Sequence, residues 1–367
     1  MIIMKKSTFY EFWTKNVESR ISQVFLIFIS FWTIPWLLNM PSSGLDPSWV
    51  IGINIASSEH MQFGKDIIFT FGPLGYLYFP YYLSSTLWLQ SLIFALGIHF
   101  LFFMTLAFLL DKSSNNWKEY ALLLPMLIIP INFIRDYKIL ILAVLLLYLI
   151  LTHSFDNKYE LKLLPFIALL LAIASLIKFN MTVSSLSILV AFSLICFIDK
   201  EFDIIAITII SYFSFVLILW LMAGQNLANL PIYLLNGYRI SSGYSDAMSI
   251  NGPEWQLLIG LIGVLFVAIL FIYSLFKSRK NMLILIALSM GILFFSFKHG
   301  FVRHDGHVYG FFAVYSIFFL CGYFVEKNNT NCLPRIFSLL MFTVFVVTIF
   351  AGSPQIIDDN VIQKSSA

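Results

Sequence analysis

The stretch "MLILIALSMGILFFSFKHGFVRHDGHVYGFFAVYSIFFLCGYF", residues 282–324, consists of two long apolar runs around a short polar segment. That segment, "FKHGFVRHDGH" (297–307), holds six ionisable residues in eleven positions. Apolar runs of about 20 residues, enough to cross a bilayer as a helix, recur along the chain. Charged residues make up 11% of the sequence and hydrophobic residues 60%, whereas a soluble domain carries about a quarter charged residues. The sequence therefore predicts an all-α, polytopic membrane protein.

About eleven membrane spans are predicted from the length and hydropathy of these runs. Their approximate limits are 21–39, 86–110, 119–134, 138–153, 163–178, 182–198, 204–223, 256–276, 281–297, 308–325 and 336–351. The third and fourth are short and are joined by "INFIRDYK". The first follows a basic segment, but it is too long for a signal peptide and no small-residue cleavage site follows it. We therefore predict that it is retained as a helix.

The distribution of lysine and arginine predicts the orientation. With a cytoplasmic N-terminus, 14 of the 22 basic residues fall inside, which is the bias of the positive-inside rule. These 14 are Lys5, Lys6, Lys15, Arg20, Lys112, Lys118, Lys158, Lys162, Lys200, Lys277, Arg279, Lys280, Lys327 and Arg335. We expect a multi-pass protein of the cell (inner) membrane, with a membrane domain over 1–351 and a short polar outer tail over 352–367. Its outer segments are then about 40–85, 224–255 and 298–307.

The first outer segment combines a helix start with charged residues. In "DPSW", Asp46 can cap a helix and Pro47 suits its first turn. The following "WVIGINIASSEHM" has a helical period and a polar face, which predicts an interfacial helix. Lys65 and Asp66 come later in the same segment, directly after Gly64. Asp46 is therefore either a helix cap alone or part of a polar site.

The second outer segment is long for a loop in a compact membrane protein, and long loops tend to carry function. Its "LANLPIYLLNGYRI" predicts another interfacial helix. Its "SSGYSDAMSINGP" is interpreted as a glycine-punctuated turn that presents Tyr244 and Asp246. The alternative is a solvated connector without chemistry.

The third outer segment concentrates cations beside histidines. A zinc site is disfavoured, because the spacing of His299, His304 and His307 does not match a helix-face pair and no cysteine joins them. Lys298 and Arg303 favour an anion instead, since arginine binds phosphate through two parallel hydrogen bonds. Interfacial snorkelling explains one or two such residues but not six in eleven.

Three further features have simpler interpretations. Lys178 lies at the outer end of a span, where snorkelling is favoured over a role in a site. Arg135 and Asp136 are expected to pair at the outer rim. The three cysteines, Cys196, Cys321 and Cys332, are expected to be buried apolar thiols, because none lies in a predicted outer loop.

These features together resemble the GT-C superfamily of integral-membrane glycosyltransferases, which use polyprenyl-phosphate-linked sugars. The resemblance lies in the layout: a long outer loop with interfacial helices, an acidic residue soon after the first helix, and a second long outer loop after the seventh. Asp46 occupies the acidic position, and residues 224–255 form the second loop. The strings "FGKDIIFTFGPLGYL", "GYSDAM" and "FKHGFVRHDGH" also look like those of a group of prokaryotic multi-pass proteins with this layout. Many such enzymes carry a soluble C-terminal domain that is not in this sequence, so we expect either a short form or a truncated tail.

The resemblance implies an inverting sugar transferase of envelope polysaccharide assembly that acts at the outer membrane face. Asp46 would deprotonate the acceptor, and cations would hold the donor phosphate. The phosphate ligands are expected to be Lys65, Lys298, Arg303 and His304, with support from Asp66, Lys178, Tyr244, Asp246, His299 and Asp305. We expect no metal; a divalent cation bridging Asp46 or Asp66 to phosphate is the open alternative. The expected partners are membrane lipid, a polyprenyl-phosphate-linked sugar and a glycan, lipid or protein acceptor, with no nucleic acid.

Two other functions fit the same sequence. A transporter or flippase of lipid-linked saccharides would carry charges inside its spans, near the bilayer midplane. A non-catalytic membrane component would not require a carboxylate and cations on the same face. The transferase also predicts that Asp46, Lys65 and residues 298–307 line one cavity.

Overall fold

A computed structural model describes residues 40–78, 81–113, 137–152, 161–326 and 333–365, together with isolated positions between 28 and 34 and between 130 and 134. Over these residues the secondary structure is helical, with only isolated β-bridges in addition. The helices are α1 Leu45–Ser58, α2 Ser85–Ser113, α3 Lys138–Thr152, α4 Leu163–Ile177, α5 Phe179–Ile198, α6 Phe202–Met222, α7 Asn229–Met248, α8 Glu254–Phe276, α9 Lys280–Val302, α10 His307–Glu326 and α11 Leu333–Ser365. A 3₁₀ turn covers Gly75–Leu77.

Seven of the described helices are long and apolar enough to cross a membrane, namely α2, α5, α6, α8, α9, α10 and the first part of α11. Helices α3 and α4 are equally apolar but shorter. Large apolar side chains such as Ile210 on α6 and Leu258 on α8 are more than half exposed, which suits lipid but not water. The predicted polytopic helical membrane protein is thereby confirmed. The number of eleven spans stays a prediction, because the first and third lie mostly outside the described residues.

The chain divides into two compact units. We call residues 34–102 and 137–248 the central unit, and residues 1–33, 103–136 and 249–367 the C-terminal unit. The central unit contains α1 and α3 to α7 with the first part of α2, and the C-terminal unit contains α8 to α11.

The core of the central unit is a tight helical hairpin. Helices α4 and α5 are separated by one residue, Lys178, whose backbone is extended (φ −153°, ψ 138°). Thr182 Oγ1 donates to the Ser175 carbonyl at 2.7 Å, and Ser185 Oγ donates to the Leu171 carbonyl at 3.2 Å. Because later residues of α5 meet earlier residues of α4, the two helices run antiparallel. This confirms a break between spans near Lys178, as the sequence predicted.

The C-terminal unit also contains an antiparallel hairpin, formed by α9 and α10. Helix α10 is almost entirely buried and packs against both α9 and α11. Phenylalanine rings fill this core, and glycines on the neighbouring helices admit them. A Cβ on Gly263 of α8 would lie 2.4 Å from Phe345, and one on Gly300 would lie 2.9 Å from the Phe311 Cβ. Small residues allow such close helix contact inside membranes.

Candidate functional site

The polar segment at the tip of the α9–α10 hairpin is much shorter than predicted. Helix α9 continues to Val302 and α10 begins at His307, so only Arg303–Gly306 connect them. Lys298 and His299 therefore lie in the last turn of α9, and the position of residues 298–307 at the outer face stays a prediction. The apolar environment explains this, since a helix satisfies its own backbone hydrogen bonds where water is scarce.

One carboxylate organises this connection. Asp305 Oδ2 accepts from Arg303 Nε at 3.1 Å. Asp305 Oδ1 accepts from the backbone N–H of His307 at 3.1 Å and contacts His307 Nδ1 at 2.5 Å. The His299 ring lies edge-to-face against the His307 ring, with 4.5 Å between the centroids. Arg303, Asp305 and His307 therefore form one cluster, which we call the tip cluster.

The electrostatics of the connection favour an ionised carboxylate beside a neutral buried imidazole. Burial alone would raise the pKa of Asp305, but the hydrogen bonds from His307 and the charges of His307 and Arg303 outweigh it and hold that pKa well below its ordinary value. Burial lowers the pKa of His304, and the charge of Asp305 opposes this only in part. Asp305 is thus an anion at all ordinary pH values.

His304 anchors the connection to the start of α8. Its Nε2 lies 2.9 Å from Oε1 of Gln256, whose side chain is buried. An amide oxygen only accepts, so Nε2 carries the proton in this arrangement. A Cβ on Gly252 would lie 2.4 Å from the His304 ring, and the Ile250 N–H donates to the Val302 carbonyl at 2.9 Å. These contacts favour an anchoring role, and the predicted binding of phosphate by His304 stays a prediction.

The cations of this region keep donors available. Arg303 is bonded to Asp305 through Nε, and among the described residues its two Nη atoms have no partner. Lys298 is partly exposed and likewise has no ion-pair partner in the described part of the chain. The described residues contain no group of three or more histidine, cysteine or acidic side chains that could hold a metal ion. The unbonded donors of Arg303 and Lys298 can bind an anion, and the predicted phosphate site stays a prediction.

The predicted residues of the first outer loop lie in the central unit. Helix α1 begins at Leu45, with Gly44 as its N-cap, so the prediction that Asp46 caps the helix was wrong. Gly44 takes that position because its φ of 127° suits glycine. Asp46 lies in the first turn, where a carboxylate still suits the helix dipole. Its side chain lies outside the described residues.

Lys65 and Asp66 occupy a small turn of the same loop. Lys65 is exposed. Asp66 accepts a hydrogen bond from the Gln62 backbone N–H at 3.0 Å and returns its own N–H to the Gln62 carbonyl at 2.8 Å. The carboxylate of Asp66 therefore stabilises the turn.

The first and second outer loops contact each other through buried or half-buried amides. Gln62 Nε2 donates to the Gly224 carbonyl at 3.0 Å, and the Phe63 N–H donates to Gln225 Oε1 at 2.8 Å. Gly64, with φ +90°, lies so close to α7 that a Cβ would be 2.6 Å from the Tyr233 nitrogen. The two loops therefore lie on the same face of the central unit. Which side of a membrane this face meets stays a prediction.

The interpretation of "SSGYSDAMSINGP" as a turn was wrong over its first part. Helix α7 continues through Tyr244 and Asp246 to Met248. The glycines that suggested a turn do not end the helix. One of them, Gly243, lies inside the helix, and nothing lies within 4 Å of the position that its Cβ would take. Asp246 is exposed and Tyr244 is half-buried on this helix.

Lys178 is held by its surroundings. Its Nζ lies 4.9 Å from the centroid of the Phe71 ring, and its backbone pairs with Phe71 in an antiparallel bridge. The Gly72 N–H donates to the Ile177 carbonyl at 2.9 Å, and the Leu74 N–H to the Leu176 carbonyl at 3.1 Å. The loop thus satisfies the free end of α4.

The structure groups the predicted residues into two sets. Lys298, His299, Arg303, His304 and Asp305 lie together in the C-terminal unit, whereas the remaining predicted residues belong to the central unit. The convergence of Asp46, Lys65 and residues 298–307 on one cavity stays a prediction. Arg135, Asp136 and Cys332 lie outside the described residues, and Cys196 and Cys321 are buried as expected.

Two polar contacts were missed by the sequence reasoning. Gln256 was not singled out, because a lone glutamine near a helix start carries no signal of its partner. His99 was also overlooked: it is fully buried in α2, and Lys138 Nζ lies 3.3 Å from its Nδ1. Its position inside an apolar run was the available signal, since ionisable residues within spans tend to be functional.

Comparison of this chain with protein-family models, with curated proteins and with solved structures finds no match.

Proposed function

We propose that the protein transfers a sugar from a polyprenyl-phosphate-type donor to an acceptor at the outer face of the membrane, as an inverting glycosyltransferase of the GT-C type. The observation that carries the proposal is the tip cluster with Lys298, a group of cationic donors at the end of two apolar helices. A lipid-linked phosphate has the matching form, an apolar tail that ends in an anion.

The geometry of Arg303 supports phosphate binding in particular. Asp305 engages Nε, which leaves the Nη edge of the guanidinium for a ligand. Arginine binds phosphate oxygens through such an edge with two parallel bonds. The Asp305 charge opposes an anion, but Arg303, Lys298 and the hydrogen bonds of His307 offset it. We expect the phosphate to bind the Nη edge of Arg303.

The proposed reaction has a simple balance of bonds and protons. The acceptor oxygen forms a bond to the anomeric carbon while the bond from that carbon to the phosphate oxygen breaks. The acceptor proton passes to Asp46, a role that rests on the resemblance to GT-C enzymes. Charge on the departing phosphate is stabilised by fixed cations, commonly a large contribution to such catalysis.

A flippase or transporter of lipid-linked saccharides is the second candidate, and one observation favours it. His99 is fully buried in a helix long enough to span a membrane, and it contacts Lys138. Polar pairs at such depth are typical of transport pathways. A transporter is expected to carry charges inside its spans, so this pair strengthens the alternative.

The test measures binding and transfer separately. Purified protein in detergent is titrated with polyprenyl phosphate and, as a control, with polyprenol, which lacks the anion. Transfer is measured from polyprenyl-phosphate glucose, mannose and galactose, each labelled in the sugar, into membranes of a strain that lacks the gene. We expect the protein to bind polyprenyl phosphate but not polyprenol, and to transfer sugar from one of these three donors.

Asp46→Asn serves as the catalytic variant in the same assay. Asparagine has nearly the same shape, and Gly44 rather than Asp46 is the N-cap, so folding is preserved. Transfer should fall about 10²–10⁴-fold, the usual contribution of a general base. Full activity in Asp46→Asn would remove Asp46 from the mechanism. Movement of the lipid-linked sugar across vesicles without transfer would establish the flippase, and neither binding nor transfer would leave a non-catalytic component.

A further inference from the structure

We propose that His307 is the general acid of the reaction, and that it gives a proton to the phosphate oxygen as the sugar departs. The inference rests on the proposed function, because it names a further catalytic residue for that same transfer. It is carried by the contact between His307 Nδ1 and Asp305 Oδ1 and by the position of the other ring nitrogen.

The tip cluster fixes the orientation of the imidazole. Asp305 Oδ1 receives both the backbone N–H and the Nδ1 side of His307, while the His299 ring lies against the face or edge of the same imidazole. Nδ1 is therefore committed to the carboxylate. Nε2 has no hydrogen-bond partner among the described residues, and the His307 side chain is about one-third exposed, at 36%. A carboxylate-oriented histidine with one available nitrogen is a standard arrangement for proton transfer.

The same cluster decides which proton His307 handles. Arg303 and His307 bind the two oxygens of a single carboxylate, and in this proposal one phosphate contacts both side chains. In an inverting displacement the acceptor attacks from the opposite side of the anomeric carbon. His307 is thus close to the leaving group and far from the acceptor hydroxyl. Its partner in catalysis is the departing phosphate.

The step balances without any further reactant. Asp305 and the bound phosphate, both anions, stabilise an imidazolium with a proton on each nitrogen. The bond between the anomeric carbon and the phosphate oxygen breaks, and its electron pair goes to that oxygen, which takes the Nε2 proton. The acceptor proton goes to the general base of the proposed function, and solvent restores both groups. Asp305 acts as a positioning residue, since it holds Nδ1 and does not contact the substrate.

A structural role for His307 predicts different behaviour. Asp305 also caps the start of α10 through the His307 N–H, and this bond depends on the backbone rather than on the imidazole. His307→Asn separates the two roles, because the asparagine Nδ2 takes the place of Nδ1 and keeps a donor to Asp305 while Nε2 is lost. This variant should fold and bind polyprenyl phosphate like the wild type.

The experiment measures transfer by His307→Asn and His307→Ala from the labelled polyprenyl-phosphate sugar that the wild type uses. We expect kcat to fall about 100-fold or more with KM within about twofold, and added imidazole to restore part of the turnover of His307→Ala but none in Arg303→Ala. Asp305→Asn should lower kcat at unchanged KM. Wild-type kcat in His307→Asn would overturn this inference and leave the proposed function standing. Absence of transfer and of polyprenyl-phosphate binding in the wild type would overturn both.

Discussion

Two helical hairpins in this protein carry a cation at the tip, and each holds it differently. At the tip of α4–α5, the backbone around Lys178 is bonded to the loop at Gly72 and Leu74, and the side chain lies over the Phe71 ring. At the tip of α9–α10, side chains hold the connection instead, because Asp305 bonds both Arg303 and His307. The α4–α5 tip, which backbone hydrogen bonds hold, should keep its conformation when a side chain changes; we call it the backbone-bonded tip. The conformation of the α9–α10 tip depends on the charged side chains that hold it. The same sequence signal, a cation between apolar runs, therefore marks two different structures.

The largest expected effect is a loss of stability when the backbone hydrogen bonds at the α4–α5 tip are broken. A Cβ on Gly72 would lie 2.5 Å from the Leu176 carbonyl oxygen and 2.6 Å from the Tyr233 hydroxyl. Gly72→Ala must therefore separate the loop from α4, and overpacking of this kind costs about 3 kcal/mol. Thermal unfolding in detergent should show a clear drop in Tm. Gly52→Ala is the matched control, since nothing lies within 4 Å of that Cβ; an equal drop in both variants would contradict the explanation.

A smaller effect is expected when the two cations themselves are removed. Arg303→Ala should weaken the binding of polyprenyl phosphate about 10–100-fold, because a hydrogen bond to a charged group contributes about 1.5–3 kcal/mol. Lys178→Ala should change binding less than about twofold, since its side chain lies over the Phe71 ring and not in the tip cluster. Arg303→Lys should recover only part of the affinity, because lysine lacks the planar fork. Equal losses of polyprenyl-phosphate affinity in Arg303→Ala and Lys178→Ala would contradict a phosphate site at the α9–α10 tip alone.

The smallest expected effect is a loss of folding stability at low pH. The pKa values of His304 and Asp305 are both depressed in the folded protein, so the unfolded chain binds more protons and a lower pH favours unfolding. Stability from His304 is lost as the pH falls below about 6.5, its ordinary pKa, and stability from Asp305 as the pH falls below about 4. His304→Gln should abolish the first window and keep the second, since the glutamine Nε2 can still donate to Gln256. A Tm that is flat from pH 7 to below 4 in the wild type would contradict this expectation.

The sequence predicted the helices well and their ends less well. Apolar runs of the right length placed the helical hairpins, because the bilayer requires helices of a fixed length. The predicted helix ends were wrong where glycines and charged residues were interpreted as signals of a turn. Gly243 and Gly300 lie inside helices instead, and at Gly300 the Phe311 side chain occupies the space that a side chain would fill. Such contacts depend on residues far away in the sequence, and no local pattern reveals them.

The candidate site was predicted in part for the same reason. Lys298, Arg303 and Asp305 are near in sequence, so their grouping followed from the pattern, and the exact bonds of Asp305 did not. Gln256 lies 48 positions from His304, and His99 lies 39 from Lys138. Pairs at these separations are decided by helix packing, which a single sequence does not specify.

The one-residue break at Lys178 also bears on how the chain enters a membrane during synthesis. Helix α4 has 15 residues and is about 22 Å long, less than the roughly 30 Å of a hydrocarbon core. We expect α4 and α5 to insert together as one helical hairpin, since α4 alone is too short to remain across the bilayer. The last carbonyls of α4 accept hydrogen bonds from the backbone N–H groups of Gly72 and Leu74. These two residues are translated about a hundred residues before the hairpin, so the loop that bonds α4 is synthesised first.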